Sequence, residues 1–347
     1  MRIGLQPESL LERFALATGR VPIPIAHALG GMLLARVVVA ATRLDLFEAL
    51  RAEPLTAAEV AARCGSEPAP TEKLLDALAT SGYLRRRGPS YRLTSMCRRW
   101  LLKGSSTSVR DAVLYEHVEA GWLARLEEFV RSGRPLDFHG SMTGEEWALY
   151  QRGMRAIAGV AADELARRLP VPAHARAMLD VGGSHGYYAV ALCRRHRGLH
   201  ATVLDLPEAV EHARPILASE RMGDRVVHQT QDVRVGDFGT AAYDVVLIAQ
   251  LVHHFDQVSN RALMERLSRA LRPGGILAIV DAVGGGNTRA QTARLLDLYF
   301  AFTSRAGTWS LGELAGWQRD AGLVPRAPFR LRTLPDFAVQ VAAKPDW

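Results

Sequence analysis

The sequence predicts an α/β fold: a doubly wound, mostly parallel sheet preceded by an N-terminal α-helical winged-helix domain. Three observations lead there. From Ala177 onward, short apolar runs alternate with helical periodicity, which calls for parallel strands covered by helices on both faces. The first of those runs breaks into Gly182-Gly-Ser-His-Gly186, and the second ends in Asp205. Before Leu169 the pattern is helical apart from one two-stranded hairpin.

The first element is an apolar helical segment from Ile25 to Leu50, including Met32, Leu33, Val37, Val38, Leu44, Leu46 and Phe47. Its apolar face is broad enough to need cover on more than one side, as a partner subunit would supply. Thr56 and Glu59 stand at capping-box spacing and open a short helix to Cys64-Gly65. A second helix runs from Pro70 to Ser81-Gly82, and Tyr83 to Leu93 reads as a hairpin turning at Gly88-Pro89. Helix, turn, helix and hairpin make a winged-helix unit. Its second helix carries Glu72, Lys73 and Asp76, which is the wrong charge for a DNA reader, and Arg85 to Arg87 read as a solvated wing. The prolines of Leu169-Pro-Val-Pro-Ala173 interrupt the last helical run before the sheet.

Strands are expected over Ala177–Val181, His200–Leu204, Val226–Gln231, Asp244–Ala249 and Ile276–Val280. Helices are expected from Gly186 to about His196, from Pro207, and between Ser259 and Leu271, the last closed by Arg272-Pro-Gly-Gly275. Ligands of such sheets bind at the carboxyl ends of the strands. Gly182 and its neighbours permit close backbone approach, and Asp205 at the second strand tip suits ribose hydroxyls. The G-x-G-x-x-G dinucleotide pattern fails in both registers, at Ser184 and Tyr187 from Gly182 and at His185 from Gly183. A nucleoside without phosphates, such as S-adenosylmethionine, is the better ligand; the plainer alternative is a glycine turn that only tightens a βα unit.

Composition narrows the class further. The 347 residues are 48% apolar, enough for two ordinary cores, and the net charge of +7 comes from arginines scattered along the chain. That scatter argues against a nucleic-acid surface. Cys64, Cys97 and Cys193 lack Cys-x-x-Cys spacing, so neither a disulfide framework nor a thiolate metal site is expected. No run of ~20 apolar residues is found; Leu29 to Ala41 comes nearest and contains Arg36. The first residues carry no apolar core of a secretory signal, and the expected location is cytoplasmic.

His253 and His254 directly follow the strand ending at Ala249. Adjacent side chains diverge, so the pair is a poor metal site, and one imidazole should enter the cleft while the other faces away. An imidazole is a usable base near neutral pH, and Asp281, ending the next strand, can orient it. The plainer alternative is a histidine that serves only as a structural hydrogen-bonder.

Asp180-Val-Gly-Gly-Ser-His-Gly186, Leu204-Asp-Leu-Pro207, Val252-His-His-Phe-Asp256 and Leu271-Arg-Pro-Gly-Gly275, behind a winged-helix front end, resemble the S-adenosylmethionine-dependent small-molecule O-methyltransferases. That group includes plant caffeate and flavonoid enzymes and bacterial natural-product enzymes, and the likeness runs from about Ile25 to the C-terminus. It implies a seven-stranded Rossmann-like methyltransferase sheet. The implied limits are 1–104 for a dimerisation domain, 105–172 for a helical linker lining the substrate cleft, and 173–347 for the cofactor-binding domain. By position, the resemblance puts Gly182 against the cofactor, Asp205 on the ribose, Asp232 and Val233 at the adenine, and Ala249 and Gln250 near the methionine end. His253 takes the general-base position and Asp281 the supporting acid. Tyr150 and Met154 fall on the acceptor side; for both, helix packing is the alternative.

Three departures stand out. Ser184 replaces a glycine of the turn, Thr308 stands where a second acid often flanks the base, and Ala249 or Gln250 occupies a position that is basic in many relatives. The cofactor carboxylate therefore needs another partner. The expected activity is methyl transfer to a hydroxyl of a small aromatic or polyketide-like secondary-metabolite acceptor by a homodimer, with no nucleic-acid or membrane partner. Alternatives are a non-methylating reaction on the same fold (hydroxylation, decarboxylation or a pericyclic step) and a winged-helix, ligand-sensing regulator.

Overall fold

The computed structural model describes residues 3–284 and 290–346. The chain divides into two compact units, residues 1–119 and 120–347.

In the first unit, three short strands, β1 (Leu55–Thr56), β2 (Leu84–Arg87) and β3 (Ser90–Leu93), form an antiparallel sheet in the order β1-β3-β2. The hairpin turns at Gly88-Pro89 as expected. Thr56 and Glu59 close the reciprocal capping box of helix Ala57–Cys64. Leu46, Phe47, Leu50, Val60, Leu75, Leu78 and Tyr91 are fully buried together in its core, each stabilising the unit by about 1.5–3 kcal/mol. The wing charge is met from the second helix: Arg86 Nη1 lies 2.5 Å from Asp76 and Nη2 3.2 Å from Glu72.

The segment expected as one helix from Ile25 to Leu50 is broken. A helical stretch covering Ile23–Arg43, π-wound over Ala26–Gly30, stops at Asp45, whose φ is +56°, and a short helix Leu46–Ala49 follows. Within this stretch of 21 residues an 18-residue window has a mean hydropathy of 1.8, so by length and composition it is long and apolar enough to cross a membrane. That corrects the expectation that nothing reaches this length, which counted consecutive apolar residues; in a helix, alanines and glycines between them prolong the apolar surface. Ile25, Leu29, Met32 and Leu33 are each more than half exposed, whereas Val38, Val39 and Ala41 are buried.

The second unit is built on β4 (Ala177–Val181), β5 (His200–Asp205), β6 (Val226–Thr230), β7 (Tyr243–Ala249), β8 (Leu271–Ala282), β9 (Val324–Pro325), β10 (Phe329–Arg330) and β11 (Phe337–Ala343). Seven of these follow the order β10-β11-β8-β7-β4-β5-β6, with β9 pairing β11. The five from β8 to β6 in this order are parallel; β11 runs antiparallel to β8. The chain leaves β4 toward β5 on one side and later returns to its other side as β7, so a crevice opens at the carboxyl end of β4.

One face of the sheet packs Met178, Val203 and Leu247 with Ala158 and Leu165 of helix Gly144–Arg168 and with Ala189 and Leu192 of helix Tyr187–Arg195. The other packs Leu179, Val246 and Leu277 with Leu263 and Leu267 of helix Gln257–Ala270 and with Leu314 and Trp317 of helix Leu311–Asp320.

Arg272-Pro-Gly-Gly275 does not stand apart as a turn before the strand. It lies inside β8, whose pairing shifts from Tyr243↔Leu271 to Val245↔Ile276 across a bulge. Gly275 is required there: a Cβ would sit 2.9 Å from the carbonyl oxygens of both Arg272 and Asp244.

Candidate active site

The turn after β4 is shaped by glycines whose side-chain space is already taken. A Cβ on Gly183 would lie 2.6 Å from Asp180 Cγ and 2.7 Å from Val203 Cγ1, and one on Gly182 2.8 Å from Leu251. Gly182 and Gly186 have φ values of +65° and +69°, and Ser184 shares the left-handed region at +51°, at a cost of roughly 1–2 kcal/mol for a residue with a side chain. Three contacts hold Ser184 there. Its N–H donates to Asp205 Oδ2 at 2.8 Å, its carbonyl accepts from His228 Nε2 at 2.8 Å, and its hydroxyl closes on Gln151 Oε1.

Beside this turn is a cavity of about 640 Å³. Six of the sequence-derived residues line it: Gly182, Asp205, Asp232, Val233, Gln250 and Tyr150. Ala249, His253, Asp281 and Met154 do not reach its wall. Asp205 accepts N–H groups from Ser184 and from Leu206 at 2.8 Å. Burial outweighs these donors and raises its carboxyl to about 6. Asp232 accepts from Arg234 through both oxygens, at 3.0 Å on Oδ1 and 2.7 Å on Oδ2. Gln250 holds a left-handed φ of +54°, anchored by its N–H on Val280 O at 2.7 Å. Phe138, Trp147 and Tyr150 form an aromatic wall, with Tyr150 5.7 Å from Trp147 and 5.9 Å from Phe138, both edge-on.

The two histidines do not diverge as expected: their ring centroids lie 4.4 Å apart, and they differ in which one meets the cavity. His254 lines the cavity, and His253 is 4% exposed behind it. His253 Nδ1 lies 2.9 Å from Asp281 Oδ1 and 3.1 Å from Oδ2, and the ring stacks on Phe300 at 3.9 Å. A carboxylate on Nδ1 fixes the tautomer with Nδ1 protonated, which leaves the Nε2 lone pair available. The turn carrying His253 is pinned by Trp309 Nε1 and Asn260 Nδ2, which donate to Val252 O at 3.0 and 2.9 Å. Burial holds His254 well below the ordinary imidazole range and lowers His139, also on the cavity wall, to about 4. Both are neutral at pH 7, so neither adds a cation to the wall.

Met154 is half-buried, and its carbonyl accepts a hydrogen bond from His185. Thr308 is tied to an acid that sequence reasoning missed: its N–H and hydroxyl donate to Asp297 Oδ1 at 2.8 and 2.7 Å. Asp297 belongs to helix Gln291–Ser304, the helix that also carries Phe300. Also missed on the wall were Gln151, Trp147 and His139. Trp147 shares the face of Tyr150 at helical spacing, a signal that was readable.

An O-methyltransferase domain family matches residues 128–312, and an O-methyltransferase dimerisation domain matches residues 26–103. The chain belongs to the O-methyltransferase family. The family uses S-adenosylmethionine, and this O-methyltransferase takes it as its cofactor. The chain is 30% identical over 302 residues to the tetracenomycin polyketide synthesis 8-O-methyl transferase of Streptomyces glaucescens, covering 83% of this chain and 87% of that one. It is 28% identical over 305 residues to the 3-hydroxy-5-methyl-1-naphthoate 3-O-methyltransferase of Streptomyces sahachiroi, covering 84% and 86%. Among solved structures, human N-acetylserotonin methyltransferase in complex with SAM shares the fold of this O-methyltransferase. Its TM-score is 0.83 at 20% identity, over 98% of this chain and 99% of that one.

Proposed function

We propose that this O-methyltransferase methylates a hydroxyl of a small aromatic or polyketide-like acceptor, with His253 as general base and Asp281 holding it, and that it works as a homodimer. The observation that carries the base assignment is the buried His253–Asp281 pair at the tips of neighbouring strands.

The residues fit the cofactor. The cavity volume lies within the ~300–1,000 Å³ of small-molecule sites. Gly182 leaves its wall flush, Asp205 has lone pairs beyond those taken by Ser184 and Leu206, and Gln250 stands at the tip of the neighbouring strand. Gly182 would lie against the cofactor, Asp205 on its ribose hydroxyls, Asp232 and Val233 at the adenine, and Ala249 and Gln250 near the methionine end. Bound there, the cofactor supplies an electrophilic methyl group on a sulfonium.

A phenol with a pKa near ~10 is a poor nucleophile while it keeps its proton at pH 7. His253 Nε2 would accept that proton from the acceptor hydroxyl, and the Asp281 carboxylate would stabilise the resulting imidazolium. Tyr150 and Met154 belong to the acceptor side, with Phe138 and Trp147 offering flat surfaces to an aromatic ring. The acceptor class is supported by the naphthoate and polyketide in the names of the two bacterial relatives. The homodimer is supported by the dimerisation-domain match and by the exposed apolar residues of the Ile23–Arg43 stretch.

The test is His253→Ala, assayed with labelled S-adenosylmethionine against a panel of hydroxylated arenes. Turnover should drop at least about a hundredfold, the usual lower bound for a placed base, while affinity for S-adenosylhomocysteine stays within about twofold. Undiminished turnover would transfer the role to His254, which lines the cavity.

A further inference from the structure

Resting on the cofactor reading above, we propose that Gln151 and Ser184 together form the anchor for the carboxylate of the cofactor's amino-acid end. Gln151 sits on helix Gly144–Arg168, has no exposed surface and is part of the cavity wall. Its Oε1 accepts the Ser184 hydroxyl, and its Nε2 finds no acceptor among the described residues. A buried amide nitrogen left without a partner costs about as much as a lost hydrogen bond, so its retention in a wall points to a ligand acceptor.

The donor count holds whichever way the amide is turned. With Oε1 on Ser184, both Nε2 hydrogens are spare; with Nε2 on Ser184, the hydroxyl hydrogen and one Nε2 hydrogen are spare. The pair therefore asks for a ligand group with oxygen lone pairs and no proton of its own, which describes a carboxylate.

Two arginines also stand on the wall. Arg234 is clasped by Asp232, whereas Arg305 is exposed to solvent. Ala249 and Gln250 bring no cation to the site. Position also fits: Ser184 lies in the same turn as Gly182 and donates its N–H to Asp205, so the anchor adjoins the proposed ribose acid. Ser184 meets Gln151 from a left-handed backbone with φ +51°.

The experiment compares two ligands by calorimetry: S-adenosylhomocysteine, which has the carboxylate, and 5′-methylthioadenosine, which shares the nucleoside and lacks it. Gln151→Met keeps the side-chain volume and removes the donors; Ser184→Gly removes the hydroxyl and relieves the backbone. In both variants, affinity for S-adenosylhomocysteine should fall about tenfold or more, the loss of a hydrogen bond to a charged group, with affinity for 5′-methylthioadenosine held within about twofold. Equal losses for both ligands would put the pair on the nucleoside and overturn the assignment, as would unchanged S-adenosylhomocysteine affinity in Gln151→Met. If the unaltered protein binds neither ligand, the cofactor reading itself fails, and this assignment with it.

Discussion

Asp180 illustrates how much the glycine turn demands of its neighbours. It is fully buried near the end of β4, and among the described residues the N–H of Ala189 is the one group that favours its charged form. Burial first, and then repulsion from Asp205, push its carboxyl up to about 7. A carboxyl raised in the folded state contributes stability below its unfolded value near 3.8, and that contribution is lost as pH rises through about 7. Asp180→Asn has no charge to bury. Its melting temperature relative to the unaltered protein should therefore climb between pH 5 and pH 8, by about 2–4 °C for each ~1 kcal/mol gained. A difference that stays flat across that range would mean the carboxyl does not titrate there. Of the site's individual residues, those with a chemical signature were readable from sequence. Gly182 and Asp205 follow from strand-tip logic, and His253 with Asp281 from adjacent strand ends. Gln151 was not readable, because its importance lies in meeting a serine 33 positions away across a turn; nothing local marks that contact.

The strands of the parallel sheet were legible because each is short, apolar and bounded by glycine, proline or an acid, and β4 and β5 begin where expected. Punctuation was misleading in one place. Arg272-Pro-Gly-Gly275 has the composition of a turn, yet the backbone continues through it as a bulged strand, since pairing with β7 resumes at Ile276. Apolar periodicity was misleading in another, for it sees no break at Asp45, where the backbone turns left-handed between Arg43 and Leu46. Thr308 was read as a position that had lost its acid. The tertiary fold supplies Asp297 to it from the preceding helix, which ties that helix to the strand-like stretch before Trp309.

Taken together, the exposed apolar residues of the first unit need an account that its own core does not provide. Leu10, Leu11 and Phe14 are exposed along with Ile25, Leu29, Met32 and Leu33, and these last four fall inside or next to the dimerisation-domain match. Large apolar side chains left exposed along one helical stretch in this way point to an association site. Sedimentation at micromolar concentration should give a dimer, and the double substitution Met32→Glu with Leu33→Glu should shift it to monomer by placing charges in the contact. A monomer before any substitution would contradict the proposal. The central claim concerns the cavity, and it is tested most directly by titrating the protein with S-adenosylhomocysteine in parallel with Asp205→Ala. Micromolar binding is predicted, weakening at least about tenfold in the variant. In the unaltered protein it should weaken as pH falls through about 6, where the Asp205 carboxyl takes up its proton and can no longer accept from two ribose hydroxyls. No binding, or binding indifferent to Asp205, would contradict the account.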